Sequence, residues 1–347
     1  MTNSTLDYQR RQQAGEANEV FWGGGYQQYG DNTVSRYFAA FAVPTSVYRD
    51  GYMVFRDEFQ LVPDKLVLSA GSRVDYNSWT GFELQPSVRL LLTPNNKQSL
   101  WLAASRAVRT PSRYDRDLQT AYGYQSPFGE IVVAEVGSHQ MRSEIERSLE
   151  AGYRLQAGRN WSIDASVFLS FYSQVQATKI SMNYFVTMVG QTPVITFPAP
   201  IGNYGTGRNL GGEISATWQV RPQWKIIPSY SYLKEDRWLP NTTGQQLSWD
   251  DNPADPRHQG LLRSQYDVSR NWKLDLGARL KTRNLGYNLG GSALFDAQVS
   301  WRASRSSNLS FSVQNLLNRQ TLQTYSEAPF VAIPVRRTMT LAWRQTF

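Results

Sequence analysis

The chain has 347 residues, 18% of them charged, a net charge of +8, an aromatic content of 13% with 19 Tyr and 11 Trp, and no cysteine. The missing cysteine excludes a disulfide framework and a thiolate metal site, and the longest wholly apolar run, Tyr37 to Val43, is too short for a membrane-spanning helix. Lys and Arg are scattered singly, beyond pairs such as Arg336–Arg337, so nucleic acid is not an expected partner despite the basic balance.

The length exceeds what one hydrophobic core usually supports. No linker, charge block or low-complexity run divides it. A closed sheet resolves the conflict, because it grows by adding strands and not by thickening a core. The N-terminal Met-Thr-Asn-Ser-Thr-Leu-Asp-Tyr has no charged n-region and no apolar h-region, so no signal peptide is expected there. Period-two alternation predicts about fifteen strands: 3–12, 18–29, 51–62, 65–77, 82–93, 98–108, 142–156, 161–177, 208–220, 224–235, 257–267, 272–283, 293–302, 309–317 and 335–347. In 161–177, Trp161, Ile163, Ala165, Val167, Leu169 and Phe171 share one face, and Ser162, Asp164, Ser166 and Ser170 the other, broken only by Phe168. In 272–283, Leu274, Leu276, Ala278 and Leu280 oppose Lys273, Asp275, Gly277, Arg279 and Lys281. A helix would space the apolar set at three and four. Negative mean hydropathy does not contradict a membrane wall, since one face of each strand of such a barrel is wet.

The connections alternate. Short ones fall at Pro63–Asp64, Pro94–Lys97, Ala157–Asn160, Arg221–Gln223, Val268–Asn271 and Ala303–Asn308, rich in turn residues. Long ones fall at 30–50, 109–141, 178–207, 236–256 and 318–334, with a shorter one at 284–292. Ser78–Gly81 is the exception, short where length was due. The alternation predicts that tight turns gather at one end of the sheet and large loops at the other, the asymmetry of outer-membrane barrels. Within 178–207 the extended pieces Tyr184–Val189 and Pro193–Phe197 predict a hairpin.

The last strand carries Met339, Leu341, Trp343 and Phe347, with Gln345, on its more apolar face. A one-sided strand of this kind suits a lipid-facing wall or a half-buried soluble sheet equally. As a membrane strand, these four residues would form a C-terminal insertion signal. Glu150 and Arg154 lie opposite Leu149, Ala151, Tyr153 and Leu155, and Glu213 lies opposite Ile214, Ala216 and Trp218. In a barrel all three face the lumen. Arg109 and Arg113 bracket Thr110-Pro111-Ser112 where a strand enters the longest loop, placed to meet an anionic ligand or plug loops, or as a solvated rim. Asp250, Asp251 and Asp255 lack calcium-loop spacing and read as a turn-rich loop. His139 and His258, the two histidines, have no zinc-site spacing. Trp22-Gly-Gly-Gly25 lacks the Lys of a phosphate cradle, and no nucleophile elbow is present. Neither catalysis nor a cofactor is expected.

Several stretches resemble the barrel of TonB-dependent outer-membrane receptors: Ser105-Arg-Ala-Val-Arg-Thr-Pro-Ser112, Ser148-Leu-Glu-Ala-Gly-Tyr-Arg154, Leu210-Gly-Gly-Glu-Ile214, Gln314-Asn-Leu-Leu-Asn318, and Phe55-Arg-Asp-Glu58 followed by Leu68-Ser-Ala-Gly-Ser-Arg73. The last pair lacks the Gln of the family's pattern. The resemblance implies an all-β antiparallel transmembrane barrel of about 22 strands with a plugged lumen, set in lipid of the bacterial outer membrane. It implies uptake of a scarce ligand such as a ferric siderophore, driven through TonB. It also implies that Glu150 and Glu213 pair with plug arginines, with Arg154 beside them; from the residues alone the two glutamates read equally well as solvated lumen carboxylates. The whole chain, 1–347, is then the C-terminal portion of such a barrel, without a plug and about seven strands short. First and last strands would run in the same direction. Export of this chain alone is then in question, and the TonB system is a partner only if a plug-bearing chain is supplied. A passive channel or barrel remnant, and a soluble β-rich carbohydrate-binding protein, are the competing readings.

Overall fold

The computed structural model describes residues 1–33, 39–127, 129–240, 246–248, 255–284, 289–318, 320–325 and 332–346. In chain order the elements are β1 (Thr2–Gln13), β2 (Asn18–Asn32), β3 (Ala39–Phe41), β4 (Thr45–Val62), β5 (Leu66–Asn77), β6 (Gly81–Asn95), β7 (Gln98–Arg109), α1 (Arg113–Asp117), β8 (Leu118–Ser126), β9 (Gly129–Val136), β10 (Glu144–Ala157) and β11 (Trp161–Thr178). They continue with β12 (Phe185–Val189), β13 (Thr192–Arg221), β14 (Trp224–Pro240), β15 (Gln246–Ser248), β16 (His258–Asp267), β17 (Trp272–Lys281), β18 (Ser292–Arg302), β19 (Ser307–Gln314), β20 (Thr321–Tyr325), β21 (Ala332–Val335) and β22 (Thr338–Gln345).

One antiparallel wall runs β1-β2-β4-β5-β6-β7-β10-β11-β13-β14-β16-β17-β18-β19-β22, each strand paired with the next. These are the strands that the alternation predicts. Several reach further at the loop end: β4 starts at Thr45 and β13 spans 30 residues. Among the described residues nothing joins β1 to β22, and both edge strands are exposed along their length.

Register puts the apolar residues on one continuous face. Ile163, Ala165, Val167 and Leu169 stand opposite Ala216, Ile214, Gly212 and Leu210, and Leu276 pairs with Ala297 and Ser264. Among the described residues nothing packs on that face: Trp161 is 38% and Leu276 43% exposed. Near the short-turn end it carries stacked indoles, Trp161 on Trp218 with centroids 4.9 Å apart and Trp272 on Trp301 at 5.9 Å. Such aromatic bands mark the interface level of a barrel. Met339, Leu341 and Trp343 lie on this face opposite Val313, Phe311 and Leu309 and are 60–71% exposed. Phe347 lies outside the described residues.

The opposite face is polar and holds cross-strand ion pairs. Arg154 Nε donates to Asp164 at 2.6 Å, Arg263 Nε to Asp275 at 2.9 Å and Arg279 Nε to Asp296 at 2.7 Å. Gly152 stands opposite Trp101, whose ring covers it. A Cβ there would meet Trp101 Cζ2 at 1.9 Å.

The connections sort as expected. Residues 14–17, 63–65, 96–97, 158–160, 222–223, 268–271 and 303–306 turn tightly at one end, and the long segments gather at the other. The exception, Ser78–Thr80, is tight because Asn77 builds it. The Asn77 side-chain carbonyl accepts from the N–H groups of Trp79 at 2.9 Å and Thr80 at 2.8 Å, an Asx-turn.

At the loop end three remote segments make a second sheet. β3 pairs with β8, β8 with β9, and β9 runs parallel to residues 194–200 of β13. β12 pairs with β13 from Phe185↔Thr196 to Val189↔Thr192, which is the predicted hairpin. α1, β3, β8 and β9 have no counterpart in the alternation pattern.

Candidate functional site

The polar face and its mouth at the loop end carry the candidate residues. Glu150 stands opposite Ala103 and Phe168, within hydrogen-bond reach of Ser148 Oγ at 3.2 Å. Glu213 stands opposite Ser166 and Ser231 and lines a groove of about 580 Å³ with Asp164, Gln259, Arg279 and Lys281. Both glutamates are exposed on the polar face. Arg154 is held by Asp164, with its side chain 66% exposed. The three are on one face, as alternation requires, but Arg154 already has an anionic partner.

At the mouth, β7 ends in Arg109. Its Nε donates to Glu144 Oε2 at 2.8 Å and its Nη2 to Glu144 Oε1 at 3.0 Å, a bidentate pair. Nη2 also donates to Gln176 at 3.0 Å, and Nη1 lies 3.4 Å from Asp115. Half of the Arg109 side chain remains exposed.

Arg113 is not a solvated rim residue. Its side chain is 9% exposed. It binds the Asp31 carboxylate and the Val43 carbonyl, donates to the Pro44 carbonyl at 3.0 Å, and lies 3.6 Å from Asp117. Its guanidinium stands 4.4 Å from the Phe41 ring centroid. A buried cation needs this many partners. Arg113 thus ties the 33–45 connection to the 110–143 connection.

The helix that presents Arg113 breaks the alternation pattern, yet its start signal is in the sequence. Ser112 caps α1 and accepts from Asp115 N–H at 3.3 Å, while Asp115 accepts from Ser112 N–H at 2.8 Å. This capping box is legible as Ser112-x-x-Asp115 behind a proline. His139 Nε2 lies 2.6 Å from Asp117. Beneath this polar knot Leu118, Met141 and Ile201 form a small dry cluster, each 2–3% exposed.

Beside the knot stands an aromatic and cationic cluster that the sequence did not reveal. Tyr48 meets Trp79 edge-on with centroids 4.7 Å apart, and Arg116 lies 5.0 Å from the Trp79 ring centroid. Burial pulls the Arg116 guanidinium below its ordinary pKa, and Asp117 opposes that shift. A groove of about 290 Å³ opens between Tyr29, Tyr48, Trp79, Thr110 and Ser112.

Asp250 and Asp251 lie outside the described residues, and the Asp255 N–H donates to Glu235 at 3.2 Å. His258 sits on the apolar face against Tyr230, 2.7 Å from its hydroxyl. Trp22-Gly-Gly-Gly25 runs through the middle of β2.

The family model described as "TonB dependent receptor-like, beta-barrel" matches residues 2–316. No curated protein sequence matches the chain. Solved structures with the same fold include a ferric enterobactin receptor from Pseudomonas aeruginosa, 16% identical, with a TM-score of 0.78 over 99% of this chain and 54% of that one. The siderophore receptor PirA from Acinetobacter baumannii is 13% identical, with a TM-score of 0.74 over 99% and 54%. The ferric-catecholate import receptor Fiu from E. coli is 15% identical, with a TM-score of 0.66 over 99% and 55%. The chain spans about half the length of these structures.

Proposed function

Because the chain belongs to the TonB-dependent receptor-like β-barrel family, whose place is the bacterial outer membrane, we propose that it forms part of the wall of a receptor for a scarce iron complex. The observation that carries this reading is the sidedness of the wall. Tight turns close one end, a folded cap stands at the other, and a polar face runs between them beneath an unpartnered apolar one. That is how a sheet separates lipid from a watery lumen.

In this reading the ligand meets the mouth. Tyr48 and Trp79 offer ring faces, and Arg116 with the exposed half of Arg109 offers positive charge. Such a surface suits an anionic, aromatic-ligated ferric siderophore, the class that the names of the similar structures point to. Arg113 fixes the mouth instead of meeting ligand. Below it, Glu150 and Glu213 receive guanidinium groups from a plug supplied by plug-bearing sequence, and the TonB system acts through that plug. Met339, Leu341, Trp343 and Phe347 serve insertion into the membrane. The comparisons favour neither a passive channel nor a carbohydrate-binding domain.

Titration of the detergent-purified chain with a ferric catecholate, read by tryptophan fluorescence, tests the reading. Saturable quenching that weakens at least about tenfold in Trp79→Ala with Arg116→Ala is expected, since losing an aromatic contact and a desolvated cation removes on the order of 2 kcal/mol. Absence of saturable quenching by ferric catecholate and ferric hydroxamate alike would sink it.

A further inference from the structure

The apolar face has one region unlike the rest. Across β10, β11, β13 and β14 small residues interrupt the large ones: Ala151, Ala165 and Gly212 stand between Tyr153, Leu210 and Tyr232. They leave an apolar groove of about 690 Å³ on the outside of the wall.

Directly loop-ward of this groove, on the same face, the side chains become cationic. Lys234 stands opposite Leu210, and Arg208 stands opposite both Phe171 and Asp236. Arg147 stands opposite Phe171 on one side and Arg106 on the other. Like charges directly opposite on neighbouring strands repel. Arg106 turns away to the Leu84 carbonyl, but Arg147 is exposed with no acidic partner among the described residues. Asp236, its side chain 2% exposed, is shared between Arg208 and Lys234, with Lys234 Nζ at 3.1 Å. One carboxylate therefore serves two cations, and the third has none.

Cations placed outward where the apolar face ends sit at headgroup depth on the outer side of the membrane. We infer that β10–β14 bind a net-anionic, phosphate-bearing lipid of the outer leaflet. Its phosphate lies against Arg147, Lys234 and Arg208, and an acyl chain lies in the groove over Ala151 and Gly212. The two features sit in the order that a lipid requires, headgroup loop-ward and chain toward the middle of the wall. The inference rests on the apolar face meeting lipid and is independent of which ligand the lumen carries.

Native mass spectrometry of the full chain in detergent, with added phosphatidylglycerol or phosphatidylcholine, tests it. Phosphatidylglycerol is expected to be retained preferentially. The variant Arg147→Gln with Lys234→Gln leaves Arg208 on Asp236, so the buried carboxylate keeps a partner. It is expected to lower that retention about thirtyfold, each cation near an anionic lipid being worth roughly fivefold, and to leave phosphatidylcholine unchanged. Ala151→Leu, which fills the groove, is expected to weaken retention without touching the cations. Glycerophosphate, a headgroup without chains, is expected not to compete. Equal retention of the two lipids, or an unaltered preference in the double variant, overturns the site. Competition by glycerophosphate as strong as by the lipid overturns it as well, since the groove would then hold nothing. Heat-modifiable gel mobility checks that each variant folds. A chain that stays monomeric without detergent defeats the membrane reading itself, whereas equal retention by a detergent-requiring chain removes the lipid site alone.

Discussion

The wall and the cap are built by opposite means. In the wall each strand pairs with a neighbour, mostly one close in sequence, one face is left bare, and polar side chains pair across the other. Its interior is single-layered, so no dry core forms there. In the cap, segments remote in sequence meet, and charged groups are the buried ones. Asp115 and Asp117 are 2% and 4% exposed and Arg113 9%, around the small cluster of Leu118, Met141 and Ile201. A wall in lipid draws its stability from the ladder and from its solvent. A cap in water, with little apolar area to bury, depends on its buried ion pairs.

The sharpest way to break this contrast is Arg113→Ala. It strips Asp117 and Asp31 of their cation, and breaking a buried pair from one side costs about 3–5 kcal/mol. The expected result is rapid proteolysis within residues 118–143 while heat-modifiable mobility of the wall persists. If wall and cap are lost together, the two regions are not energetically separate. Next in size is Leu276→Arg, in the middle of β17 on the bare face. A charge at mid-wall depth costs about 2–4 kcal/mol in lipid, read as a lower urea midpoint in vesicles with cap proteolysis unchanged. An unshifted midpoint means that this face does not meet hydrocarbon. Ser112→Ala removes one half of the capping box and is expected to cost about 1 kcal/mol, seen as faster amide exchange confined to 113–117. Smallest is Arg154→Ala, on an exposed pair with Asp164, expected to change the unfolding midpoint by less than about 1 kcal/mol.

The same contrast explains what could be read without coordinates. A strand with one wet face writes itself as alternation, so Trp161 to Phe171 and Trp272 to Leu280 were legible one residue at a time. The order of short and long connections then gave the ends of the wall. The cap left no such trace. β9 meets β13 some sixty residues on, in parallel, and β3 meets β8 across two intervening hairpins. No local period encodes such pairings. Glu150 and Glu213 were placeable because parity alone decides their side. Arg113 was not, because its burial depends on Asp31 and Val43, which only folding brings near. Trp79 was hidden in the one turn that breaks the length rule.

The two bare edges carry a constraint of handed traffic. β1 leads from the loop end down to a tight turn, and β22 likewise descends away from the loop end. Two copies standing the same way up would therefore meet at like-directed borders, and neither joint could form the antiparallel ladder used everywhere else in the wall. Whatever pairs antiparallel with β1 or with β22 must itself ascend toward the loop end beside that strand.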